Sequence, residues 1–275
     1  DEFIDLCKSS VWKYKSMWED LTNKIAYWVD MKNPYITYDN SYIESVFWAL
    51  KEMDKKGLIY QGHKVVPYCP RCGTSLSKAE LENGDNYKIV KDKSIFVKFK
   101  SLHEKNTYFL VWTTTPWTLP SNIALCMNPE EDYTKFECDK VNYIMLDKLI
   151  PTLFEEDTYK KIYTKKGKEF ENQKYEPLFN YAKDVEKGFI VTVDNYVTTD
   201  DGTGIVHIAP AFGEDDASVG KKYGLTFVQF VDDAGKKTKE TDYEGVPVKE
   251  SNAPIIEKLK QEGKLFKVQP IEHSY

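Results

Sequence analysis

The chain has 275 residues, 41% of them hydrophobic and 14% aromatic, enough to bury a sizeable core and too apolar for a disordered polymer. Its formal net charge of −6 argues against an autonomous nucleic-acid binder, because neutralising phosphates takes a basic face. No apolar run approaches membrane-spanning length, and five cysteines without a secretory segment point to a reducing, cytoplasmic setting rather than a disulfide scaffold.

In chain order, Val11, Tyr14, Trp18, Leu21, Ile25 and Trp28 recur at three- and four-residue steps and predict an amphipathic helix over residues 5–28. An extended connector at 33–38 leads to a second helix. Ser41 with Glu44 reads as its capping box, Val46, Phe47, Leu50 and Met53 as its inward face, and Gly57 as its left-handed stop. Residues 63–68 read as a strand running into Cys69-Pro70-Arg71-Cys72-Gly73, half of a tetrahedral zinc site. Cys126 and Cys138 lie too far apart to supply the second pair. Two ligands alone hold zinc poorly, so the Cys69–Cys72 half-site is expected to be empty.

From about residue 86 the pattern turns to β, with strands at 94–100, 107–112, 141–146, 188–193 and 204–209. Helices interrupt them near 147–156, 214–223 and 252–262, the last capped by Ser251. The expected class is α+β: a distorted β-barrel with rim helices over 86–275, preceded by a helical arm and the Cys-x-x-Cys knuckle over 1–85. Lysines cluster at Lys160-Lys161, Lys165-Lys166-Lys168 and Lys236-Lys237-Lys239, which reads as solvated loops. The opening on an acidic helix and the stop after His273-Ser274-Tyr275 read as a piece of something larger.

Two stretches carry chemistry. Thr107 to Trp112 is β-branched and aromatic, and Thr113, Thr114, Thr115 and Thr118 follow on a turn stiffened by Pro116 and Pro120. Hydroxyls on a rigid support can bind a sugar, an ester or a water, or can simply bond to their own backbone. The second stretch is Gly202-Thr203-Gly204-Ile205-Val206-His207-Ile208-Ala209-Pro210 with Gly213-Glu214-Asp215-Asp216. Its glycines allow close backbone approach, His207 sits on a strand, and the acids open a helix, where negative charge is favourable in any case. A lone strand histidine is more often a core residue than a catalyst.

Trp112-Thr113-Thr114-Thr115-Pro116-Trp117-Thr118-Leu119-Pro120-Ser121-Asn122 resembles the threonine-rich peptide in the editing domain of isoleucyl-tRNA synthetases, and the Gly202–Asp216 stretch resembles the other half of that pocket. Valyl and leucyl relatives carry Arg-Pro after the paired threonines, where this chain has Thr115-Pro116-Trp117. The resemblance covers essentially the whole chain. It implies that Asp216 grips the substrate's α-amino group, that His207 lies beside the amino-acid side chain and limits pocket size, and that Thr113, Thr114, Thr115 and Thr118 line the aminoacyl ester and terminal adenosine. Trp112 would form a wall and Asn122 would shape the site. Asp216, His207 and Thr113–Thr115 are thus the candidate catalytic residues, and Trp112, Thr118 and Asn122 join Asp216 and His207 in binding.

Valine lacks one methylene of isoleucine, which gives a factor of ~150, a value that belongs to isoleucyl enzymes as a class and is no property of this particular chain. A second pocket that admits valine and excludes isoleucine can remove the error. The resemblance implies hydrolysis of valyl-tRNA(Ile), with valyl-adenylate as a further substrate, by metal-free attack of water on the ester. No serine-histidine-acid signature suggests a covalent intermediate. No cofactor is expected for editing, and zinc only with a second Cys pair that this chain lacks. Expected partners are the aminoacylated 3′ end of tRNA(Ile), its valine moiety and the rest of the synthetase, with no membrane and a monomeric state. The lysine clusters could contact tRNA. The histidine-glycine and Lys-Met-Ser-Lys-Ser motifs of the ATP site are missing, so the fragment itself should not aminoacylate. The alternatives are a non-catalytic binder of aminoacyl ends that needs the full-length enzyme, a zinc-knuckle interaction protein and a general esterase.

Overall fold

The computed structural model describes residues 1–82, 87–182 and 184–274; the expected boundary at 85/86 lies outside them. Two compact units divide at His63/Lys64. In the first, the stripe expected to give one helix gives two, α1 (Glu2–Lys13) and α2 (Lys15–Lys24), broken at Tyr14. The third helix, α3 (Asn40–Lys55), starts one residue before Ser41 and is preceded by Asp39, so Ser41 is already helical and the capping box does not form. Gly57 ends it at φ +67° as expected. The face expected to point inward is exposed, Phe47 at 65%.

The second unit opens with a two-residue hairpin, β1 (Tyr68–Cys69) with β2 (Thr74–Ser75), which is all that forms of the strand expected at 63–68. A short helix, α4 (Lys78–Leu81), follows, its capping box made by Ser77 and Glu80. The Cys69 turn is bound into this unit: the Tyr68 hydroxyl donates to Asp233 O.

Six strands form the main sheet: β3 (Ile89–Lys100), β4 (Thr107–Thr113), β6 (Asp132–Cys138), β7 (Val141–Leu146), β8 (Lys160–Lys166) and β11 (Leu265–Ser274), in the order β11-β3-β4-β7-β6-β8. A second sheet holds β5 (Ala124–Met127), β9 (Ile190–Val193) and β10 (Ile205–Ile208) in the order β10-β5-β9. All pairings are antiparallel except β4 with β7 and β5 with β9. Both sheets are open, so the expected α+β class holds but no closed barrel is found among the described residues. Two helices lie near their expected places, α5 (Glu214–Tyr223) and α6 (Asn252–Gln261). The helix expected at 147–156 is two 3₁₀ turns, Asp147–Thr152 and Glu156–Thr158, the first containing Pro151, which cannot continue an α-helical ladder. The Ser251 hydroxyl donates back to Val248 O (2.7 Å) instead of capping α6.

Both sheets share one core: Ile95, Val97, Phe109 and Val111 from the large sheet pack in a cluster with Leu125, Met127, Val191 and Ile205 from the small one. β4 is β-branched and aromatic and mostly buried, as a central strand requires. After Thr113 the chain leaves it through a 3₁₀ turn, Pro116–Ser121, where two prolines without N–H groups preclude further pairing, and enters β5. The threonine turn is therefore the passage from one sheet to the other.

Candidate functional site

Beside that passage lies a cavity of about 240 Å³, lined by Trp112, Thr113, Thr114, Thr115, Thr118, Val206, His207, Ala209, Phe212 and Asp216. Five segments converge on it. The end of β4 and the 3₁₀ turn bring the threonines. β10, paired with β5 in the register His207↔Leu125 and Ile208↔Ala124, brings His207. The loop after it brings Ala209 and Phe212, and the first turn of α5 brings Asp216.

The hydroxyls are held mostly by one another. The Thr118 Oγ1–H donates to Thr115 O at 2.8 Å, and Thr118 Oγ1 stands 3.0 Å from His207 Nε2. With its proton committed to a carbonyl, Thr118 can only accept from the imidazole, so Nε2 carries the ring proton and Nδ1 is a bare acceptor. That Nδ1 is buried without a hydrogen-bond partner among the described residues. Burial lowers the His207 pKa to about 4, which keeps the ring neutral at pH 7. Thr115 N donates to Thr113 Oγ1 (3.1 Å), and Thr115 Oγ1 is 3.3 Å from Thr118 Oγ1. The Thr114 hydroxyl makes no such bond among the described residues and remains available to a ligand.

Asp216 is the anion of the cavity. Its Oδ1 accepts from Ala209 N at 2.7 Å, and its place in the first turn of α5 suits negative charge. Burial outweighs these contacts and raises its pKa to about 6, with Asp215 adding to the rise. At pH 7 the group is still mostly ionised. Gly213 leaves it room: an ideal Cβ there would stand 2.3 Å from Asp216 Oδ2. Gly202 (φ +69°) lets the backbone turn under Trp112, whose Cε3 would be 2.7 Å from a Cβ.

The structure thus gathers Trp112, Thr113, Thr114, Thr115, Thr118, His207 and Asp216 around one space, and not Asn122. The Asn122 amide is a buried strut, donating to Ala124 O (2.8 Å) and accepting from the Tyr175 hydroxyl (2.7 Å). Asn122→Ala is expected to cost roughly 1–3 kcal/mol in urea denaturation, because the buried Tyr175 hydroxyl loses its acceptor. Phe212, Val206 and Ala209 also line the cavity. They lie in or beside the second motif, but only the three-dimensional course of the loop shows that they face inward.

Cys69 and Cys72 stand apart from the cavity. Cys72 N donates to Cys69 Sγ (3.4 Å), and among the described residues no three His, Cys, Asp or Glu side chains gather as a metal cradle. Two thiols do not by themselves fit a four-coordinate zinc. One member of a lysine cluster is also not what its charge suggests: Lys237 is 1% exposed, inside the fold, while Lys236 and Lys239 are exposed as expected. Among the described residues no helix is long and apolar enough to cross a membrane.

Residues 1–135 match the family described as tRNA synthetases class I (I, L, M and V). The isoleucine–tRNA ligase of Clostridium acetobutylicum is 48% identical over 276 residues, covering 100% of this chain and 26% of the relative. The chain therefore spans about a quarter of the length of the curated relatives it matches. Among solved structures, GlLeuRS-CP1 aligns with a TM-score of 0.52 at 14% identity, over 64% of this chain and 98% of that one. The P. falciparum cytosolic leucyl-tRNA synthetase editing domain aligns at 0.51 and 12%, over 65% and 99%.

Proposed function

The chain is homologous over its whole length to isoleucine–tRNA ligases and has the fold of a synthetase editing domain, and from that premise we propose that it hydrolyses valyl-tRNA(Ile). The observation that carries this reading is the single cavity in which one anion, one neutral imidazole and a row of threonine hydroxyls meet. The Asp216 carboxylate takes the α-ammonium of the aminoacyl ester, a charge-assisted contact that fixes the substrate's orientation. His207 limits the space for the side chain, so that valine enters and isoleucine does not. The ester then lies along Thr113–Thr115 and Thr118, with Trp112 as a wall.

Water attacks the ester carbonyl, the tetrahedral oxyanion collapses, and the ribose oxygen leaves with a proton. The ester is already activated, so positioning and hydrogen bonding suffice. The Thr114 hydroxyl, without a hydrogen-bond partner among the described residues, and that of Thr115 are the groups available to hold the water and the oxyanion. The cavity's donor set is hydroxyls, one imidazole and one carboxylate, which supports a mechanism without metal. The same pocket would accept valyl-adenylate, whose valyl group is the same. The rest of the synthetase would cover the exposed apolar faces of α1–α3 and deliver the tRNA. The five free thiols suit a cytoplasmic protein.

The test is deacylation of valyl- and isoleucyl-tRNA(Ile) by this chain. Loss of valine alone supports the reading. Saturable binding without hydrolysis would make the chain a binder of aminoacyl ends, and turnover of simple esters lacking an α-amino group would make it a general esterase.

Gly213→Ala probes the anion's placement without touching the anion. Gly213 has extended backbone, φ −149°, which alanine adopts freely, but the added methyl displaces the Asp216 carboxylate. The expected result is a fall in kcat/KM of about tenfold or more, the equivalent of roughly 1.4 kcal/mol. Thermal unfolding should change little.

A further inference from the structure

Lys237 is a buried cation that this mechanism does not use. Its side chain is enclosed, and among the described residues no carboxylate pairs with it. Its backbone is fixed, the N–H donating to Val246 O (2.9 Å) and the carbonyl accepting from Gly245 N (2.8 Å). Its Nζ donates to one acceptor, the carbonyl of Trp117, and lies 5.6 Å from the centroid of the same residue's ring. Both contacts fall on the second residue of the 3₁₀ turn that carries Thr118. The other backbone group of Trp117 is also held, its N–H donating to Asn252 Oδ1 at 2.9 Å. The Trp117 ring meets Phe212 edge to face, centroids 5.0 Å apart, and Phe212 lines the cavity.

A buried ammonium without an anion is costly, and an apolar side chain of the same length would fill the space more cheaply. Burial lowers the Lys237 pKa to about 8, so the group still carries its proton at pH 7. The protein therefore retains a destabilising charge whose donors reach the threonine turn.

We propose that Lys237 is a positioning residue of the editing pocket: its ammonium, clamped on the Trp117 carbonyl and ring, sets the threonine turn and, through the Trp117 ring, the Phe212 side chain that walls the cavity. The inference rests on the editing reading, because it assigns Lys237 a share in aligning the hydroxyls that this reading uses. Lys237 touches no substrate. Its effect passes through the turn.

The experiment compares Lys237→Met with the unaltered full chain. Methionine keeps most of the stem and loses the donors and the charge. For valyl-tRNA(Ile) deacylation, kcat is expected to fall about tenfold and KM to change less than about twofold, since the Asp216 contact is untouched. The thermal midpoint should hold or rise. Exchange of the Thr118 amide, bonded to Thr115 O at 3.0 Å and followed by NMR, should quicken about tenfold, as expected for a loosened turn. Asn252→Ala, which opens the other side of the clamp, should reproduce the kinetic change and guards against a fault peculiar to methionine.

An unchanged kcat in Lys237→Met overturns the proposal, whatever the exchange shows. So does a loss of kcat with a lowered midpoint and faster exchange throughout β3 and β4, which would mark Lys237 as merely structural. If the unaltered chain hydrolyses nothing, the editing reading fails on its own. Thr118 exchange then decides the clamp separately, and unchanged exchange would overturn it too.

Discussion

Replacing Asp216 by alanine is expected to lower kcat/KM for valyl-tRNA(Ile) deacylation by about 100–4,000-fold, the largest effect of any single change in the cavity. Asp216 is the one carboxylate lining it among the described residues, so on the proposed reading the variant leaves the substrate's ammonium unpaired in a partly desolvated space. Removing one partner of such a pair costs about 3–5 kcal/mol, and about 1.4 kcal/mol corresponds to each tenfold. A variant with full activity would sink the amino-group role. The same carboxylate predicts an acid limb: kcat/KM should rise with pH through about 6, where the desolvated group ionises.

Asp216→Asn separates function from stability. The folded-state pKa is raised above the ordinary 3.8, so the folded chain holds this proton more tightly than the unfolded one. The group therefore favours folding below pH about 4, and that contribution is lost as pH rises through 6. The amide can keep the bond from Ala209 N while removing the buried charge. Asp216→Asn should thus be inactive yet melt above the parent at pH 7.5, and the difference should vanish near pH 4. Comparing melts at the two pH values checks the sign.

The second large effect is on selectivity. His207→Ala removes the ring proposed to exclude isoleucine, and the room gained exceeds one methylene, whose discrimination in an apolar pocket is worth roughly 1–3 kcal/mol. Isoleucyl-tRNA(Ile), resistant to the parent, should then be hydrolysed within about tenfold of the valyl rate. Because the ring is neutral at pH 7, the change should come from space rather than charge and should not vary between pH 6 and 8. Continued resistance of the isoleucyl ester would place the steric limit elsewhere, with Trp112 or Phe212 next in line.

The residues that gather around the cavity were legible through the resemblance of the two stretches taken together; singly, the hydroxyls, the strand histidine and the acids each have an ordinary structural explanation. Seven of the eight expected side chains line it. Asn122 does not join them: it lies four residues past Thr118, the last threonine of the lining, and its amide turns into the core toward Tyr175. Lys237 lay in a run of lysines, and composition cannot tell one enclosed ammonium from its solvated neighbours. Local pattern recovered β4, β7 and α5: the two strands are apolar runs that end up mostly buried, and the helix opens on acids. It failed at 63–68, where the short apolar run found no partner strand beyond a two-residue hairpin. It also failed to close the barrel question, since strand order depends on contacts far apart in sequence.

β11 and β3 illustrate such a contact, and it bears on how the chain reaches its fold. Val268 lies opposite Ile95, so that ladder joins residues about 170 apart along the chain. Closing a loop of that length costs roughly 2.5 kcal/mol more than closing one of ten residues. Until the pairing forms, β3 is an unpaired edge carrying Ile95, Phe96 and Val97, the kind of surface through which partly folded chains aggregate. Such a topology belongs to the slow end of single-domain folding, milliseconds to seconds. The threonine turn, which leaves β4 beside β3, therefore waits on one of the most distant pairings in the chain for a settled support.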